Sequence, residues 1–189
     1  IWLDPRYTSP YKNFDLSVFI NGSYGNKVYN YLSMKLTHMN SPWTNQLNAV
    51  NGRAQLVPIN PNKVYEDGTM WYNDVSNVMV ANPGASIPRA TINDPNDNDR
   101  ISDRYIEDGS YIRLKNISLG YTFPKKTIDK LGLSNLRIYA NIQNLLTITG
   151  YDGYDPEIGA STSSVNVYGW DNGRYPSPTV YSFGLNVSF

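Results

Sequence analysis

The sequence predicts an all-β fold of antiparallel strands, and three observations carry that prediction. Four stretches alternate apolar and polar residues with a period of two. The connections between them run long, short, long. Aromatic excess lies in tyrosine and tryptophan, with 16 Tyr and 4 Trp against 5 Phe. A period of two puts one apolar and one polar row on opposite faces of a strand. Tyr and Trp suit surfaces that are half wet and half apolar, such as membrane interfaces and binding loops.

The first strand is expected near 13–25, with Phe14, Leu16, Val18 and Ile20 on one face and Asp15, Ser17 and Asn21 on the other. Phe19 breaks its pattern. The second is expected near 110–123, where Ile117, Leu119, Tyr121 and Phe123 alternate with Asn116, Ser118, Gly120 and Thr122. Arg113 and Lys115 interrupt its apolar row. Charge facing lipid at mid-depth costs about 2–4 kcal/mol, so these two are expected at the bilayer edge or facing the lumen. The third lies near 135–148, with Leu136, Ile138, Ala140 and Ile142 against Arg137, Tyr139, Asn141 and Gln143. The fourth, near 178–189, closes the chain with Tyr181, Phe183, Leu185, Val187 and Phe189 in one row.

Between the first two strands run residues 26–104, and between the last two run 149–177. Only a short turn joins the second to the third, with Pro124 suited to open a helical turn and Gly132 to end it. Transmembrane barrels have short periplasmic turns and long extracellular loops, and each strand has about the 9–11 residues a tilted span requires. The loop order fits that parity without adjustment. A soluble antiparallel sandwich would show the same alternation, so a β-sandwich module binding carbohydrate remains the alternative. Four strands are too few to close a barrel, which needs about eight, and an open set leaves two unpaired edges. Under the barrel reading the chain is therefore expected to be a piece of a longer protein. Its start without Met and without a signal-peptide pattern agrees with that expectation.

Composition narrows the function classes. Lys+Arg and Asp+Glu both number 16, which argues against a nucleic-acid partner. The absence of cysteine removes thiolate metal sites and cysteine nucleophiles, and His38 is the only histidine. It is expected as a loop or surface residue. No enzyme chemistry, metal or cofactor is expected.

At residues 102–126, SDRYIEDGSYIRLKNISLGYTFPKK, the chain resembles the C-terminal region of SusC/RagA-type TonB-dependent outer-membrane transporters of Bacteroidota. LRIYANIQNLLTITGYDGYDPEIG (136–159), GRYPSPTVYSFGLNVSF (173–189) and YKNFDLSVFINGSYGNKVYN (11–30) are similar to further strands of that family. The resemblance implies a large barrel in the bacterial outer membrane, importing oligosaccharides or peptides with a SusD-like lipoprotein and energised through TonB. It implies a plug domain and further strands that this chain lacks. It also implies that the closing strand, Tyr181 to Phe189, is read by the barrel-assembly machinery.

Tyr151, Tyr154, Tyr168, Trp170 and Tyr175 in the second long loop are candidates for contact with ligand or partner, set against packing of the loop on itself. Asp152, Asp155 and Glu157 resemble a glycosidase pair only superficially and are expected as solvated loop carboxylates. The run DPNDNDRISD places Asp94, Asn96 and Asn98 at the first spacings of a calcium loop. Asp99 stands where such loops need Gly and Tyr105 where they need Glu, so a solvated turn is expected.

Overall fold

The computed structural model describes the chain except residues 1, 4, 5, 40–42, 92, 93, 95, 159, 162 and 163; for residues 2, 3, 160, 161 and 164–167 only the backbone is described. Two compact units divide it, Ile1–Asn30 with Ile106–Phe189, and Tyr31–Tyr105.

The first unit is built on one antiparallel sheet. Strand β1 (Trp2–Leu3) and β2 (Arg6–Tyr11) both pair with β3 (Phe14–Ser23), which pairs with β8 (Tyr111–Thr122), then β9 (Asn135–Thr149), then β13 (Val180–Ser188). A second, three-stranded sheet joins β4 (Lys27–Asn30), β7 (Ile106–Asp108) and β12 (Trp170–Asp171), with β12 parallel to β4. A two-stranded ladder, β10 (Ala160–Ser161) with β11 (Ser164–Tyr168), completes the unit.

Register explains the long sheet. Cross-strand partners line up as Phe14–Tyr121–Ile138–Leu185, Leu16–Leu119–Ala140–Phe183 and Val18–Ile117–Ile142–Tyr181. On the opposite face stand Asp15–Gly120–Tyr139–Gly184 and Ser17–Ser118–Asn141–Ser182. Opposed residues share a face, so every apolar row coincides across four strands. Two glycines on the polar face make room for larger neighbours. A Cβ on Gly120 would strike the Arg137 guanidinium and the Asp15 carboxylate, which are bonded at 2.6 and 3.1 Å. A Cβ on Gly184 would strike the ring of Tyr139.

Strand β2 has little apolar alternation (RYTSPY) and was not legible in the sequence; it pairs with β3 across a two-residue turn in which Lys12 takes φ 54°. Phe19, the break in the β3 pattern, lies on the polar face, where the Arg6 guanidinium sits 5.0 Å from its ring centroid. Between β8 and β9, Pro124 precedes the short helix α2 (Lys125–Ile128), and left-handed Gly132 follows its 3₁₀ extension.

Apolar side chains are mostly outside. Among the described residues only Val28, Met34, Val50, Tyr105, Tyr111, Ile128 and Tyr151 are buried apolar residues, while Phe183 is 83% exposed. A domain of this size in water would bury such a face.

The second unit contains α1 (Tyr31–Thr37) and the hairpin of β5 (Leu56–Pro58) with β6 (Val78–Val80). Asp74 organises a loop there, accepting from Lys63 Nζ at 2.5 Å, Tyr65 Oη at 2.9 Å and Ser76 Oγ at 2.6 Å. Those donors, Lys63 first, hold its carboxyl well below the usual range. His38 is buried, not a surface residue; its Nε2 lies 3.0 Å from Asp94 Oδ2. Asp94 is likewise buried rather than solvated, and it accepts from Asn98 Nδ2 and the Asp99 amide.

Candidate functional site

The site begins with an irregularity in β8. From Phe14 to Phe19, β3 opposes β8 from Tyr121 to Asn116 one for one; Ile20 then opposes Leu114, leaving Lys115 as an extra residue. β9 carries its own extra residue here, beside Asn144, whose φ is 52°. Without this bulge, Arg113 would share a face with Ile117 and Leu119. With it, Leu114 and Ile112 continue the apolar row, while Arg113 stands opposite Asn21 and Thr147 on the polar face.

Arg113 is consequently buried, 3% exposed, and each of its three side-chain nitrogens donates to a different partner. Nη2 reaches Asp155 Oδ1 at 2.5 Å, Nη1 reaches Glu157 Oε2 at 2.7 Å, and Nε donates to Thr147 Oγ1 at 2.8 Å. Lys115 Nζ closes the cluster on both oxygens of Glu157, at 2.6 and 2.8 Å. Burial pushes the Asp155 carboxyl upward. The Ser177 amide, Arg113 and the Glu157 amide outweigh it and hold the pKa below the ordinary 3.8.

The acidic trio therefore divides. Asp152 is exposed as expected, but Asp155 is buried and paired and Glu157 is half-buried, because the loop needs counter-ions for Arg113 and Lys115. The sequence held a signal for this. Two cations interrupted an apolar row, and two carboxylates recurred in a nearby Gly-rich loop.

A second anchor is fully buried Asp171. It accepts from Tyr151 Oη at 2.6 Å and from the amides of Gly173 and Arg174 at 2.9 and 3.2 Å. Burial and then the Asp171 carboxylate push the Tyr151 hydroxyl far above its usual pKa, so it stays a donor. Glu107 ties the same loop down, accepting from Asn30 Nδ2 and the Asp152 amide.

The five aromatic candidates fall into two groups. Tyr151 is buried on Asp171, and Trp170 packs on Tyr29 with ring centroids 4.8 Å apart. Tyr154, Tyr168 and Tyr175 are exposed. Tyr168 borders a cavity of about 630 Å³ whose other walls include Asn26, Tyr111, Lys115, Glu157 and Arg174. On the closing strand, Tyr181, Phe183, Leu185, Val187 and Phe189 are all exposed.

For metals, His38, Asp94 and Asp99 offer ligand atoms within 4.8 Å of one another, the one such group among the described residues. His38 and Asp94 already satisfy each other there.

Four long strands with one apolar face and one polar, ion-paired face belong to a chain that matches known proteins along nearly its whole length. A TonB-dependent receptor of Formosa agariphila, P3, is 34% identical over 184 residues, covering 95% of this chain and 15% of its own. A second from that organism, P26, is 32% identical over 190 residues, covering 96% and 16%. The chain belongs to the TonB-dependent receptors. SusC of Bacteroides thetaiotaomicron is 29% identical over 182 residues, 95% of this chain and 14% of SusC. The structure of the RagAB peptide transporter superposes with a TM-score of 0.62 at 18% identity, covering 95% of this chain and 16% of that one. The open-open RagAB structure gives 0.59 at 18% identity, with the same coverage. At that identity the likeness concerns the fold. No family model matches the sequence. The receptor chain spans about one-seventh of the length of these relatives. Its open antiparallel sheet is part of a transmembrane β-barrel, and its location is the bacterial outer membrane.

Proposed function

We propose that this receptor chain forms part of the wall and external mouth of an outer-membrane importer of oligosaccharides or peptides, driven through TonB and working with a SusD-like lipoprotein. The observation that carries the reading is the cross-strand coincidence of apolar rows on one face of β3, β8, β9 and β13. That face suits lipid, because a barrel wall in a membrane is apolar outward and polar inward. Among the described residues the edge strands, β1 and β2 on one side and β13 on the other, pair on one side only, which leaves them available to neighbouring strands of a longer barrel. Loop 149–177 and the cavity beneath it then belong to the mouth, with Tyr154, Tyr168 and Tyr175 available to cargo or lid. The closing strand Tyr181–Phe189 would be read by the assembly machinery. No residue is proposed for catalysis.

The chain has no cysteine, so single cysteines can report its topology in the full-length receptor on intact cells. A membrane-impermeant maleimide is expected to label Tyr168→Cys and to leave Phe183→Cys unmodified until the membrane is dissolved. Equal labelling of both on intact cells, or a receptor recovered in the soluble fraction, would favour the β-sandwich reading instead.

A further inference from the structure

Lysines gather at the end of the long sheet away from loop 149–177. Lys12 stands in the β2–β3 turn, and Lys125, Lys126 and Lys130 stand on the turn after β8, all four exposed. The two turns are neighbours, since the Thr122 amide donates to the Asn13 carbonyl at 2.8 Å and Phe14 lies opposite Tyr121. Ile128, 2% exposed, seats the second turn, so its lysines project from a fixed base. Among the described residues none of the four ammonium groups has a hydrogen bond or ion pair; Lys12 lies 5.4 Å from the Tyr11 ring centroid. Asp129 is the one exposed side-chain carboxylate on these turns, and Asp15 beside them is held by Arg137. Aromatic rings mark the same level. Tyr11, Phe14, Tyr121 and Phe123 stand on the apolar face there, with the Phe14–Tyr121 and Tyr121–Phe123 centroids 4.6 and 5.0 Å apart.

We infer that this end of the sheet docks on anionic phospholipid headgroups, its lysine ammonium groups meeting lipid phosphates just outside the level of the rings. Depth places them there. From Ile112 to Phe123 the apolar face runs about ten strand steps, roughly 33 Å; a tilt of about 40° turns that into about 25 Å of depth, the height of a barrel's apolar band. The rings at its end then lie where aromatic belts lie, and the flexible lysine stems carry their charges outward to the phosphates. Charge selects the headgroup. Four cations against the one carboxylate of Asp129 favour a headgroup of net negative charge. A zwitterionic headgroup would bring a cation of its own to the same surface. The patch also continues the apolar side of β3, β8, β9 and β13 without a break, so its occupant is the bilayer that side meets.

This inference rests on the barrel-wall reading and adds a lipid preference to it. The test places a bimane fluorophore on Thr127→Cys, between the lysines, in the full-length receptor reconstituted into phosphatidylcholine vesicles. The quencher is phosphatidylglycerol or phosphatidylcholine at equal mole fraction, each spin-labelled at the headgroup end of one acyl chain. Quenching is expected to report a local enrichment of phosphatidylglycerol of about fivefold or more, the gain of roughly one lysine beside anionic lipid. Salt at about 0.5 M should remove the excess, because exposed charges are screened at that ionic strength. Lys125→Gln, Lys126→Gln and Lys130→Gln together should lose most of it, whereas arginine at the same three positions should keep it. Unaltered thermal melting of both variants keeps the comparison clean. Equal quenching by the two lipids, or an excess indifferent to the three glutamines, would overturn the lipid preference and leave the wall reading standing. Quenching by neither lipid would overturn the wall reading itself, so the two failures are told apart.

Discussion

The long sheet and the loop above it break the same rule in opposite directions. On the sheet, large apolar side chains such as Phe183 and Leu185 are exposed. In loop 149–177, charged groups are hidden, with Asp171 fully buried and Asp155 4% exposed against Arg113 at 3%. In a water-soluble domain both would be faults. Here each follows from its surroundings. The apolar face loses nothing when hydrocarbon is its solvent. The loop buries few apolar side chains, and it is fastened by buried ion pairs and charged hydrogen bonds. The sheet is thus stabilised by register and lipid, and the loop by a few specific polar bonds.

If that contrast is right, the loop should be the more fragile part. Asp155→Asn would leave the Arg113 guanidinium buried with one carboxylate fewer. Removing one partner of a buried pair costs about 3–5 kcal/mol. Since Glu157 still reaches Arg113, the lower end, about 3 kcal/mol, is expected. Limited proteolysis of the full receptor should show loop 149–177 released while the wall strands stay protected. Protection of the loop at wild-type level would mean that the cluster does not fasten it.

The wall should respond to face, not to residue number. Phe183→Lys places a cation against hydrocarbon, at about 2–4 kcal/mol if it lies near mid-depth. Ser182→Lys, one residue away on the polar face, should cost under about 1 kcal/mol. Denaturant unfolding in lipid vesicles compares the two directly, and equal losses would remove the distinction between the faces. Gly184→Val is the intermediate case. Its side chain must displace the Tyr139 ring on the polar face, and overpacking of that kind costs about 1–3 kcal/mol. The double variant with Tyr139→Ala should recover much of the loss.

These cases also show why the sequence was only partly readable. Period-two alternation identifies faces, and it is strongest where one face meets a uniform solvent, as along β13. It failed at β2, where RYTSPY carries no apolar row and only its pairing with β3 makes a strand. It also could not by itself assign the Arg113 neighbourhood to a face. A bulge changes parity within one strand, and parity cannot be read through a bulge without the partner strand. The buried ion pairs escaped for a related reason. Asp155 and Arg113 are 42 residues apart, and a Gly-rich acidic loop reads as solvated unless its counter-ions are known to stand beneath it. His38 and Asp94, 56 residues apart, were hidden by a similarly long separation in sequence.

The smallest expected effect separates the two regions by pH. Asp155 has its folded-state pKa held below 3.8. A carboxyl with a depressed folded pKa contributes stability that is fully present above its unfolded value and is lost as pH falls towards the folded one. The loop should therefore stay fastened from pH 7 down to about pH 5 and begin to loosen only below about pH 4. The apolar rows of the wall contain nothing that titrates there, so β8, β9 and β13 should keep their hydrogen-exchange protection through the same range. Exchange measured on the receptor in vesicles at pH 7, 5 and 3.5 reads both at once. Loosening of the loop already at pH 5 would point to a fastening group other than Asp155. Parallel loss in the wall would mean that loop and sheet open together, and that the loop is less independent of the sheet than its separate bonds imply.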